Sequence, residues 1–162
     1  MRFDAHFARF LVVLNGAVPL AMLGWDAWRH ELGVDGVNYV IRTTGLLGYL
    51  FLLFTLAITP LRRLTGVGRL VAVRRALGLY AFAYLCIHFA VFFALDRAAS
   101  VESTVHEILS RRYLQIGSVG LLSLVPLAVT STDGMITRLG PRRWKALHRL
   151  VYLAASAGAV HY

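Results

Sequence analysis

The sequence predicts an all-α integral membrane helical bundle, and three observations carry that prediction. Of the 162 residues, 58% are hydrophobic and 15% are charged, with a mean hydropathy of +0.65. A water-soluble domain of this size carries about 25% charged residues. The apolar residues collect into five runs, Phe10–Trp28, Gly45–Leu61, Ala76–Leu95, Tyr113–Thr130 and Ala146–Tyr162. Each has about 17–20 residues, enough for a helix to cross ~30 Å of hydrocarbon. Apart from Arg149, the basic residues fall outside the runs rather than within them. Strands are excluded because the runs lack period-2 alternation and are too long.

Taken in order, the first run contains Asn15 and Pro19 and has no small-x-small cleavage site, so it reads as a retained helix rather than a signal peptide. Pro60 closes the second run and Pro126 sits in the fourth; membrane helices tolerate proline better than soluble ones do. Cys86, the single cysteine, lies in the third run. It excludes an intramolecular disulfide, a CxxC pair and a thiolate zinc cage, and reads as a small buried hydrophobe. No internal repeat or low-complexity tract interrupts residues 1–162, which are expected to form one domain. The fifth run ends at Tyr162 without a polar tail, and a C-terminal truncation is expected.

The net charge of +9 points to membrane topology and anionic lipid rather than nucleic acid, because the arginines sit in short runs beside apolar spans. Arg2, Arg9, Arg62, Arg63, Arg69, Arg74, Arg75, Arg138, Arg142, Arg143 and Lys145 fall on one side. On the other side Arg29, Arg42, Arg97, Arg111 and Arg112 are diluted by six carboxylates. The positive-inside rule places the N-terminus in the cytoplasm and Tyr162 on the outer side.

Six histidines divide by depth. His6, His30 and His106 fall outside the spans and read as solvated. His88, His148 and His161 fall within spans, where polar side chains are expensive and face the bundle interior. An interhelical hydrogen bond is the competing reading for each. At 1.5 Å per residue, His88 stands ~18 Å above the basic side and His161 ~22 Å above it. Two neutral imidazoles at one level, on neighbouring helices, are what a six-coordinate haem iron needs at its axial positions.

His148 lies thirteen residues before His161, a step of ~20 Å that makes room for a second haem level. On a straight helix the two rings would stand ~140° apart, so the spacing supports two levels without a shared face. The position on the third span that would match His148 holds Arg74 or Arg75. Guanidinium has no free lone pair for iron but pairs well with a haem propionate or a lipid phosphate. Positive-inside anchoring is an equal reading of both arginines. Tyr80, Tyr84, Phe89 and Tyr152 would pack on a porphyrin or serve as ordinary packing, and Trp144 reads as an interfacial anchor.

The stretches "RRALGLYAFAYLCIHF", "TSTDGMITRLGPRRWKALHRLVYL" and the closing "HY", with "LAITPLRRL" and "RRYLQIGSVGLL", resemble the MsrQ (YedZ) family. That family is the haem-binding membrane subunit of a protein-methionine-sulfoxide reductase system, within the ferric reductase-like transmembrane group. The resemblance implies six membrane helices, of which five are expected here, holding b-type haem, one or two per chain. It implies an electron-transfer subunit of the bacterial inner membrane, fed by quinol or a cytosolic flavin reductase and associated with FMN. Its electrons would go to a periplasmic MsrP-type molybdopterin subunit that repairs methionine sulfoxide. The family's haem histidines fall on His88, His148 and His161, while NADPH oxidase-type relatives carry a fourth histidine where this chain has Arg74 and Arg75.

No nucleophile, phosphate loop or nicotinamide fingerprint is present, so sulfoxide chemistry is expected on a partner. The alternatives are a ferric reductase or quinol-oxidising cytochrome of the same fold, or a non-haem membrane scaffold. A transporter with a histidine proton relay would need acidic partners deep within the spans, whereas every Asp and Glu lies in a connection or near a span end.

Overall fold

The computed structural model describes residues 5–68 and 70–162. Arg2 and Arg69, two residues used for the orientation, lie outside the described residues. Among the described residues seven helices follow one another: α1 Ala5–Trp28, α2 Gly36–Thr65, α3 Leu70–Val91, α4 Val101–Ser110, α5 Arg112–Val129, α6 Asp133–Leu147 and α7 Leu150–His161. A π-helical turn, Phe92–Asp96, extends α3. Among the described residues there is no strand, as an integral membrane helical bundle requires.

Among the described residues four segments have the length and composition to cross a membrane: His6–Trp28, Gly36–Thr65, Leu70–Asp96 and Arg112–Val129. The fifth expected span is a shorter helix, because α7 has 12 residues and reaches only ~18 Å. The helices also outrun the apolar runs. α2 starts at Gly36 rather than Gly45, and α3 starts at Leu70, which brings Arg74 and Arg75 into the helix instead of a connection. Hydropathy marks the lipid-buried part of a helix, whereas hydrogen bonding continues into the polar zone until a cap ends it. Gly66 supplies such an end for α2: at φ +71 its N–H reaches Arg62 O at 3.0 Å, a left-handed cap that glycine adopts without strain.

The chain divides into two compact units, Met1–Asp96 and Arg97–Tyr162. In the first unit α3 packs along α2, and α1 packs on α3. Ile58, Val73 and Leu77 form a buried cluster, flanked by Ala8 and Val12 of α1. Two tyrosines of α3 fasten α1 from the side. The Tyr84 hydroxyl donates to Gly16 O at 2.8 Å, and Tyr80 donates to Val13 O. A Cβ at Gly16 would stand 2.7 Å from the Tyr80 ring, so glycine there permits the approach. Buried Thr44 and Thr55 return their hydroxyls to Val40 O and Phe51 O, which satisfies them where water is absent.

In the second unit α5 packs on α7, and α4 packs on α5. The α5–α7 contact is built from small residues: Gly120 on α5 faces Ala154 and Ala157, the close approach that membrane helices favour. α6 begins on Thr132, whose side chain accepts from Met135 N–H. Gly140, at φ 75 and ψ 155, and then Pro141 divide it into two short pieces. Large apolar side chains such as Phe10, Met22, Phe54 and Leu122 face outward on the long helices, as a bilayer solvent allows.

Candidate functional site

His88 lies on the α2-facing side of α3, half-buried. Its Nδ1 stands 2.8 Å from Ile41 O of α2. One turn further along α2 is Gly45, where a Cβ would fall 2.9 Å from Nδ1 and 3.1 Å from Cε1. α2 is therefore notched at Gly45 to admit the imidazole. A carbonyl only accepts, so Nδ1 carries the proton and donates, and Nε2 holds the lone pair.

The second unit repeats this arrangement. His161 Nδ1, on α7, stands 2.8 Å from Tyr113 O of α5. Gly117 follows four residues later, and a Cβ there would lie 2.5 Å from Nδ1 and 2.7 Å from Cε1. The Tyr113 ring also leans on the imidazole, with centroids 5.8 Å apart. Both sites thus share one design: a carbonyl at position i and a glycine at i+4 on one helix, with a histidine from the next helix seated between. Anchoring Nδ1–H on a backbone carbonyl fixes ring orientation and tautomer, which is how metal-binding imidazoles are commonly held.

His148 differs. It sits in the turn between α6 and α7, not inside one continuous helix. Its Nδ1 stands 3.1 Å from Trp144 O one turn back, its Nε2 is buried, and its ring stacks on the Trp144 indole at 3.8 Å between centroids. The indole N–H in turn donates to Thr130 O at 2.9 Å, tying the end of α6 to the end of α5. Trp144, expected as an interfacial anchor, is here the platform for His148.

The turn also changes the angular relation between His148 and His161. Arg149 N, Val151 N and Tyr152 N bond to Ala146 O, His148 O and Arg149 O, an i→i−3 pattern. Such a turn advances each residue by ~120° rather than ~100°. It narrows the ~140° separation that an unbroken helix would impose on the two rings.

On α3, continuous from Leu70 to Val91, the two arginines are not equivalent. Arg74 is fourteen residues before His88, within ~40° of it around the helix, whereas Arg75 is ~140° away. Arg74 is half-buried and Arg75 exposed. Tyr80 and Tyr84 are occupied in fastening α1, while Phe89 and Tyr152 are exposed.

Composition and spacing single out the three histidines, but not Gly45, Gly117 or the carbonyls of Ile41 and Tyr113. A small residue at a membrane-helix interface is the only sequence signal for the glycines, and it does not say which side chain each receives.

Residues 44–159 match the family described as ferric reductase like transmembrane component. Over 152 residues the chain is 40% identical to the protein-methionine-sulfoxide reductase heme-binding subunit MsrQ of Herminiimonas arsenicoxydans, covering 94% of this chain and 70% of that protein. The MsrQ of Ralstonia nicotianae is 41% identical over 154 residues, covering 95% and 71%. The MsrQ of Caulobacter vibrioides is 41% identical over 152 residues, covering 94% and 72%. No solved structure matches.

Proposed function

Because the chain belongs to the ferric reductase-like transmembrane family, and within it to the MsrQ subunits, we propose that it holds b-type haem between its helices and carries electrons across the inner membrane. The observation that supports this most is the repeated notch, Ile41–Gly45 for His88 and Tyr113–Gly117 for His161. Each presents an imidazole with its proton committed at Nδ1 and its lone pair on Nε2, the form that ligates iron. His88 and His161 stand at matching depths by sequence and would together hold one haem on the outer side. His148 would hold a second, inner haem, where Arg74 rather than Arg75 has the position and half-burial suited to a propionate.

Haem supplies reversible one-electron chemistry when bound. The chain's residues do the rest. Apolar helices exclude water, Gly45 and Gly117 admit the rings, and the carbonyls of Ile41 and Tyr113 fix their orientation. Quinol or a cytosolic flavin reductase, with an associated FMN, is the donor in this reading. Reducing a methionine sulfoxide to methionine and water takes two electrons and two protons. The subunit therefore delivers two electrons in turn to a periplasmic MsrP-type molybdopterin partner, where the sulfur–oxygen bond breaks.

Full-length chain purified from haem-replete cells tests the reading. A Soret band and a reduced α-band of b-type haem are expected. Colourless protein would overturn it and leave the histidines as interhelical hydrogen bonds of a scaffold.

A further inference from the structure

Between the π-helical turn that ends at Asp96 and the span that begins at Arg112 lies α4, Val101–Ser110. Its N-terminus is capped by Ser100, which accepts from Ser103 N–H at 3.2 Å. Plotted at ~100° per residue, Thr104, Ile108, Val101, Val105 and Leu109 cover a continuous arc of ~140°, and Glu102, His106, Ser110, Ser103 and Glu107 occupy the opposite side. Only one edge of the apolar arc is covered: Thr104 is buried and Ile108 half-buried. Val101, Val105 and Leu109 remain 67%, 48% and 68% exposed.

Covalent geometry says what that stripe meets. A single residue, Arg111, separates α4 from α5, and its backbone is extended at φ −122 and ψ 115, so the two helices do not run on as one. The Gln115 side chain of α5 donates to Leu109 O at 2.7 Å, holding the end of α4 against the first turns of the span. Glu107 pairs with Arg111 at 2.6 Å and with Arg97 at 3.4 Å on the polar side. Leu109 is three residues from the start of a membrane-crossing helix, and Val105 is one turn further back, ~6 Å along α4. Both therefore stand at headgroup level.

We propose that α4 is an interfacial helix, lying in the plane of the membrane surface with Val101, Val105 and Leu109 set into the boundary between phospholipid headgroups and acyl chains. A short helix with one apolar and one charged face, tethered at that depth, is stable there because its apolar stripe leaves water while its carboxylates keep it. The inference rests on the membrane fold and does not depend on haem.

Spin labels test it. Single cysteines at positions 101, 105 and 109, and at 102, 106 and 110, are introduced into the full chain carrying Cys86→Ser. The labelled protein is reconstituted in phosphatidylethanolamine–phosphatidylglycerol liposomes, and collisions with oxygen and with a water-soluble nickel chelate are compared. The oxygen-to-nickel ratio should be several-fold higher at 101, 105 and 109 than at 102, 106 and 110. Equal ratios at all six sites would overturn the proposal. So would nickel access at 101, 105 and 109 that is lost only when a soluble partner is added, which would make the stripe a protein-docking face. Circular dichroism of each labelled chain confirms that the helices are retained.

Discussion

Gly117→Ala is the sharpest perturbation of the His161 notch. The new Cβ would lie 2.5 Å from Nδ1, 2.7 Å from Cε1 and 2.8 Å from Cγ, against ~3.5–4.0 Å for an ordinary contact. Relief requires the ring to move ~1 Å away from α5. That movement stretches the 2.8 Å bond to Tyr113 O to ~3.6 Å or more, beyond hydrogen-bonding range. The direct loss of stability is ~1 kcal/mol. The effect on a ligand held through Nε2 is larger, about 10–100-fold in affinity when such a supporting bond is removed. Gly45→Ala should act in the same sense but more weakly, since its Cβ would sit 2.9 Å from His88 Nδ1. Gly24→Ala is the control, with nothing within 4 Å of the added methyl. The assay is haem per polypeptide, with the low-spin signal followed by electron paramagnetic resonance. Haem content and low-spin signal should fall in the order Gly117→Ala, then Gly45→Ala, with Gly24→Ala unchanged. Unaltered spectra for Gly117→Ala, or equal losses for Gly24→Ala, would refute the reasoning.

Other outcomes follow from the same geometry. Arg74→Gln should shift the midpoint potential of the inner haem, whereas Arg75→Gln leaves it in place, because only Arg74 lies on the His88 side of α3; redox titration of the two variants decides. Trp144→Leu removes both the platform under His148 and the bond to Thr130 O, and should perturb the inner haem's spectrum while sparing the outer one. Tyr84→Phe removes the bond to Gly16 O and should cost about 1 kcal/mol, read as a lower unfolding midpoint in detergent with haem spectra unchanged.

Much of this organisation is legible in the residues themselves. Long apolar runs mark four crossings directly, since a bilayer demands length and apolarity together. The cost of burying imidazole marks His88, His148 and His161. The ends of helices are less legible: Arg42, Arg74 and Arg75 look like connection residues, yet α2 and α3 carry them because a helix needs no apolar side chains once it leaves the hydrocarbon. α4 and α6 escape a hydropathy reading because they are short, and α4 divides its apolar residues between a neighbour and the surface. His148 reads as part of one long helix until the i→i−3 turn is seen. The glycine notches are the least legible, because Gly45 and Gly117 acquire meaning only through a ring supplied 43 or 44 positions later.

The central claim is that His88 and His161 together hold one haem, and pyridine haemochrome per polypeptide measures it most directly. Wild-type chain is compared with His88→Ala, His161→Ala and the double variant. The two single variants should each lose the same spectral component, and the double variant should lose no more than either alone. Separate components lost by the two variants, or full haem content in both, would contradict the pairing.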